Sequence, residues 1–294
     1  MKYLYLIILI SLFSCKKDPE NESIKIIEEE TTISIKKIED STFVTDKDRD
    51  IDLNKINAIE LKQKTLIEKV DERDELEELI VEKKYFKEAK NYTIDFTFPL
   101  LNDKLNLTNV NFNEYINDYY VDITGTEASI LENEALLCDS ILSNRFREKR
   151  YIDYKIYNVN DQLVSILFYK ENFYSGTLHP TYSFDCMNFD LNRGVFMNYE
   201  DFFIEGTEEE LTGIINEEIN KNILKGNMYY DCWEISNDDF FEYKNNFVVN
   251  DDIVEYYFDD CIMCPSYTGS YSIQLPVMSL LPVLRKYDFN PLIL

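Results

Sequence analysis

An α+β fold with a largely antiparallel sheet and helices packed against it is predicted by three observations. Alternating apolar and polar positions recur in short runs, first in Tyr92–Leu101 and then repeatedly after Tyr151. Segments with helical spacing are inserted between those runs rather than alternating with each of them. The links between the runs are short enough for hairpins, as at Asn192-Arg193-Gly194. With 45% hydrophobic residues, 22 tyrosines and 19 phenylalanines in 294 residues, the chain has ample material for a core.

The N-terminus reads MKYLYLIILISLFSCKKDPE: one cation at Lys2, an apolar run too short to span a membrane, then Cys15. Leu12 to Cys15 resembles the lipobox of bacterial lipoproteins. That resemblance implies a signal peptide over residues 1–14 and lipidation of Cys15 as the mature N-terminus, which would hold the protein on the membrane. Residues 15–45 read as an acylated tether, charged and carrying Pro19. A charged stretch after the cysteine accompanies surface display in similar lipoproteins. The expected location is the cell envelope, at the outer membrane of a Gram-negative bacterium, facing the periplasm or the exterior.

Without residues 1–14 the chain holds 56 acidic and 29 basic side chains, a formal −27. Such a chain repels phosphate, so nucleic acid is not expected as a partner, whereas a cationic protein is. Residues 91–294 alone carry 34 acidic against 13 basic groups, a net −21. Solubility on an anionic cell surface explains the same charge without any partner.

The elements follow in order. Residues 24–38 alternate weakly, as a strand or a continuation of the tether. Residues 46–90 read as a charged helical segment, with Leu66, Val70, Leu76, Leu79 and Ile80 between charges. Residues 91–160 read as a small α+β domain: a strand at Tyr92–Leu101, then a helix in two pieces. The first piece puts Phe112, Tyr115, Ile116 and Tyr119 on one face; the second runs on to Arg145, Arg147, Lys149 and Arg150, cations suited to a helix C-terminus. Residues 161–294 hold strands in QLVSILFYKENFY and PTYSFDCMNFDL, following YIDYKIYNV. A helix is expected at Glu208–Leu224 between Thr207 and Gly226, then strands in FEYKNNFVVN, IVEYYFDD and SYSIQLP, and a short helix from Val277 to Lys286.

The order of motifs resembles the RsiV-like C-terminal domain family. The residues that carry it are Tyr174, Gly176, His179 and Pro180 in QLVSILFYKENFYSGTLHP, the Gly194 turn in MNFDLNRGVFMNYEDFF, and Pro265, Tyr267 and Gly269 in CPSYTGSYSIQLPVMSLLPVL. The resemblance covers residues 91–290. The best-understood type of that family is the extracellular part of an anti-sigma factor that recognises lysozyme. It implies that this chain binds a cationic protein such as lysozyme, with the loops around Gly176, His179, Pro180, Pro265, Tyr267 and Gly269 as the binding elements. The chain departs from that type in having no transmembrane helix and no sigma-binding segment.

Catalytic chemistry is weakly signalled. His179 is the chain's one histidine, and between Gly176 and Pro180 it suits a turn better than a zinc site or a serine triad. No G-x-S-x-G, P-loop or G-x-G-x-x-G sequence is present, so no cofactor is expected. Cys261 and Cys264 have C-x-x-C spacing, but the Pro265–Gly269 loop follows them where a reactive thiol would need a helix; a structural disulfide involving one of them is expected. Asp46, Asp48, Asp50 and Asp52 imitate the start of a calcium loop, yet Ile51 and Asn57 replace its glycine and bidentate glutamate, so no metal is expected. Asp251, Asp252, Glu255, Asp259 and Asp260 read as a solvated acidic set. These readings favour a lipid-anchored envelope binding protein. Its rivals are a structural envelope lipoprotein and an enzyme acting on wall polysaccharide with Asp251 or Glu255 as acid and base.

Overall fold

The computed structural model describes residues 66, 78–137, 145–159, 162–178, 180–286 and 290–292. Cys15, the tether, the calcium-like run and His179 lie outside them.

Six strands form one sheet in chain order: β1 (Ile80–Glu88), β2 (Tyr92–Leu101), β3 (Glu148–Val159), β4 (Leu163–Phe173), β5 (Thr181–Asp190) and β6 (Val195–Met197). All neighbours are antiparallel except β2 and β3. A parallel pair needs a long crossover, and this one carries helices α1 (Asn109–Tyr115) and α2 (Ile123–Ala135), joined by a π turn over Ile116–Val121. The chain continues through α3 (Tyr199–Phe202), α4 (Glu208–Leu224) and α5 (Asn237–Tyr243). Strands β7 (Phe247–Val249), β8 (Ile253–Phe258) and β9 (Tyr271–Pro276) make a second, antiparallel sheet, followed by α6 (Val277–Leu280). The α+β class with largely antiparallel pairing is therefore the observed one.

Alternation along the strands sorts the core into layers. Ile152, Tyr154 and Ile156 of β3 and Ile166 and Phe168 of β4 face α1 and α2, meeting Phe112, Ile116 and Ile130. The intervening residues Leu167 and Tyr169, with Phe184, face the second sheet and meet Val248 and Tyr257. The other side of the second sheet, Phe247, Val249, Val254, Tyr256 and Ile273, packs on Leu211, Ile215 and Ile219 of α4 and Phe240 of α5. The two sheets are also joined by polar groups. Asn246 donates to the carbonyls of Phe184 and Tyr257 (2.8 and 2.9 Å) and accepts from the Cys186 amide (2.7 Å). Asn188 donates to the Phe247 carbonyl, and Ser165 accepts from the Val249 amide, both at 2.9 Å. These bonds satisfy backbone groups of the short strand β7 that would otherwise be buried unpaired.

Three expectations are corrected. Residues 80–88 are a strand, not the end of a helix. β1 is a sheet edge exposed on both faces, so it lacks the inside–outside alternation that marks a strand, while Lys83, Lys84 and Lys87 guard the edge. Glu148 to Arg150 open β3 instead of closing a helix. Glu148 and Arg150 take inward positions that an apolar pattern would not reveal, and they are satisfied by each other. The Phe241–Tyr243 part of FEYKNNFVVN belongs to α5, whose N-cap is the Ser236 side chain accepting from the Asp239 amide.

Thr207 and Gly226 do bound α4, though differently from a simple cap. The Thr207 hydroxyl bonds the Ile204 carbonyl (2.6 Å) rather than the helix, while Gly226 takes positive φ just past the last turn. Among the described residues no helix is long and apolar enough to cross a membrane.

Candidate functional site

A cleft of about 320 Å³ opens between the helix layer and the β3–β4 strands; its walls include Tyr120, Thr126, Ser129, Arg150, Lys170 and Tyr174. The local chain geometry behind it is unusual. The π turn delivers Tyr120, after which Asp122 adopts a left-handed conformation (φ 33°) and caps α2, its side chain accepting from the Gly125 amide at 2.9 Å. A Cβ at position 125 would overlap that carboxylate, so a side chain there would displace the cap.

Arg150 reaches the cleft from a buried strand position. It is ion-paired with Glu148, donates to the Phe173 carbonyl (3.0 Å), and lies over the Tyr174 ring, 4.1 Å from its centroid. Glu148 is steadied from the helix layer by Asn133 at 3.3 Å. Lys170, two strands' width from the sheet edge, sits 3.7 Å above the Tyr120 ring centroid and 3.3 Å from Asp185. The Tyr120 hydroxyl donates to the same Asp185 carboxylate at 2.7 Å. Burial, reinforced by the Asp185 charge, raises the Tyr120 pKa well above its ordinary value, so Tyr120 stays a hydrogen-bond donor at neutral pH.

The loops singled out in the sequence lie elsewhere or at the margin. Gly176 has φ 92°, the conformation its turn requires, and Thr177 bonds back to the Tyr174 carbonyl. This turn therefore adjoins the cleft through Tyr174, while Leu178 is 90% exposed. Pro265, Tyr267 and Gly269 belong to a 3₁₀ turn over Ser266–Thr268, closed by Thr268 bonding the Pro265 carbonyl through its amide (2.9 Å) and its hydroxyl (2.6 Å).

The cysteines resolve the C-x-x-C run. Cys264 is bonded to Cys232, 32 residues earlier, whereas Cys261 is free and exposed with φ 68°. Cys261 is thus not the disulfide cysteine. The bridge clamps the segment Tyr229–Ile235 to the 3₁₀ turn's approach: the Trp233 amide donates to the Met263 carbonyl (2.8 Å), its indole to the Ile262 carbonyl (3.1 Å), and Asn216 of α4 holds both backbone groups of Ile235. Trp233 is nevertheless 44% exposed and Tyr230 68% exposed, with Asp231 and Glu234 between and beside them. Sequence reasoning missed this aromatic face. The signal available was the chain's one tryptophan, directly after a cysteine.

The acidic set is divided. Asp251 and Asp252 are exposed in the β7–β8 turn, but Glu255 is fully buried, opposite Val248 and Gln274, and so is not a solvated carboxylate. A group with no exposure cannot reach a polymer, and the acid–base pair suggested for wall hydrolysis is not assembled. Asp259 is partly buried, which raises its pKa against the opposing hydrogen bond from Tyr243 at 3.2 Å. Among the described residues no His, Cys, Asp and Glu cluster could hold a metal.

No family model and no curated protein matches this sequence. Solved structures do. A DUF3298 family protein from Pseudomonas aeruginosa PAO1 is 14% identical, with a TM-score of 0.50, over 70% of this chain and 93% of that one. Another DUF3298 family member, from Bacteroides fragilis NCTC 9343, is 16% identical with a TM-score of 0.45, over 70% and 92% respectively. The Pseudomonas likeness places the fold beside that of a family defined as a domain of unknown function.

Proposed function

We propose that this protein is a lipid-anchored binding protein of the cell envelope whose acidic face docks a cationic protein such as lysozyme. The observation that carries the reading is the Trp233–Tyr230 face. It is aromatic, held by a disulfide and backbone bonds, and set in the most acidic part of the chain: residues 200–260 contain 18 acidic and 3 basic side chains. Rigid amphipathic aromatics lose little entropy on binding and dominate interface energetics, while surrounding charge selects partner sign and speeds encounter. The resemblance to a lysozyme-recognising family points to the same class of partner, and the lipobox-like Leu12–Cys15 supplies the anchor.

The test is titration of the Cys15→Ser chain with c-type lysozyme at low salt and at about 0.15 M, where charges are screened beyond about 8 Å. Binding that persists at the higher salt and weakens at least about tenfold in Trp233→Ala supports the reading. Binding that vanishes with salt and ignores Trp233→Ala and Tyr267→Ala leaves only unspecific attraction and favours a structural lipoprotein. The anchor is checked separately: Cys15→Ser abolishes labelling by radioactive fatty acid, and unchanged labelling refutes it.

A further inference from the structure

The cleft between α2 and the β3–β4 strands is unlike the rest of the domain in charge. Residues 91–294 hold 34 acidic and 13 basic groups, yet among the described residues two cations, Arg150 and Lys170, line this cleft and no carboxylate does. We propose that it is a binding site for a small sugar acid, whose carboxylate is taken by Arg150 and Lys170 and whose hydroxyls meet Thr126, Ser129 and Asn172. Its lining carries cations, whereas the Trp233 face is flanked by Asp231 and Glu234.

Three features support it. Both cations are positioned from behind by acids outside the lining, Glu148 for Arg150 and Asp185 for Lys170, and from the side by the Tyr174 and Tyr120 rings. Such fixed side chains lose little further freedom when a ligand arrives. Neither partner exhausts its cation: a guanidinium has five N–H groups in a planar fork and an ammonium has three. Asp185 takes one ammonium proton and the Tyr120 face attracts the charge, leaving Lys170 able to bond an incoming anion. Finally, about 320 Å³ lies at the lower end of small-molecule sites, room for a monosaccharide rather than a polymer. The hydroxyl and amide groups on the remaining wall suit a polyhydroxylated ligand better than an aliphatic acid.

The experiment is calorimetric titration of the Cys15→Ser chain with N-acetylmuramic acid, N-acetylglucosamine and D-alanyl-D-alanine. The two sugars differ by the 3-O-lactyl group that carries the carboxylate, and the dipeptide carries a carboxylate without a sugar. Saturable binding of N-acetylmuramic acid is expected, at least about tenfold tighter than either other probe. Lys170→Met should weaken it at least about tenfold while the chain keeps its far-UV circular dichroism and a cooperative melt, Ser129→Trp should block it by filling the cleft, and Trp233→Ala should leave it intact. Arg150 is avoided as the first variant because its removal strands a buried Glu148. Equal affinity for all three probes, preference for the dipeptide, no saturation on the order of 10 mM, or binding indifferent to both cleft variants overturns the proposal.

Discussion

The two sheets of this protein solve opposite electrostatic problems. Around the six-stranded sheet, residues 91–199 carry 15 acidic and 8 basic groups, and two of the cations are drawn inward: Arg150 is almost fully buried and Lys170 mostly so. Around the three-stranded sheet, residues 200–260 carry 18 acidic and 3 basic groups, and nearly all the charge is outside. There Lys244 answers Glu200 and Glu208 at 2.6 and 3.1 Å, beside the first turn of α4, where Glu208, Glu209 and Glu210 also suit the helix dipole. The first region builds a concave, cation-lined cleft and the second an acidic, aromatic face. Inward charges need specific partners and so define a site; outward charges need only water, and acquire specificity from a rigid feature such as Trp233.

The sharpest way to break this division is to ask whether the regions unfold separately. Phe112 is fully buried against Phe189 and Phe196 in the first region, whereas Trp233 reports on the second. Phe112→Ala is expected to cost about 3–5 kcal/mol. In urea titrations followed by Trp233 fluorescence the midpoint should fall with that full loss, because the sheets share a core; an unmoved Trp233 transition would make them independent.

Replacing Cys232 and Cys264 together by serine removes a constraint on a 32-residue span and should cost about 3–4 kcal/mol. Hydrogen exchange should rise mainly around Tyr229–Ile235 and Cys261–Gly269. Uniform acceleration would mean that the bridge supports the whole unit rather than the aromatic face.

Asn246→Ala deletes three hydrogen bonds, two of which link the two sheets, and strands the Cys186 amide, for a loss of about 1–3 kcal/mol. A double-mutant cycle with Ser165→Ala, which removes the Val249 anchor, should show coupling between the two substitutions; strict additivity would argue that the polar contacts act singly.

The smallest effect has the opposite sign. Asp259 has its pKa raised by burial, so the unfolded chain ionises it more readily than the folded one, and above the ordinary aspartate range this disfavours folding. Asp259→Asn should raise the melting temperature at neutral pH. The gain should fade as pH falls through the carboxylate range, where both states are protonated. A gain that persisted unchanged at low pH would point to the Tyr243 contact instead of the charge.

Much of the fold was legible because its signals are local. Strands β2, β4, β5, β8 and β9 have one or both faces buried and show it as alternation or as apolar runs, and α4 occupies the expected Glu208–Leu224 between its Thr207 and Gly226 markers. Where burial is set by partners rather than by residue type, the signal disappears. β1 looked helical because most of its side chains are exposed whichever face they take, and β3 began invisibly because Glu148 and Arg150 are buried as a pair. Cys232 could be chosen over Cys261 only once β8 and the segment after α4 were in place. The cleft depends on Tyr120, Arg150, Lys170 and Asp185, from a π turn and three strands, and no spacing in the chain connects them. The sequence by itself determined the acidity, the aromatic supply and most of the periodicity, since these depend on residue type and near neighbours. Which charges turn inward, which thiols meet and where a cavity remains were decided by the tertiary structure, because each requires groups distant in the chain to share one low-dielectric space.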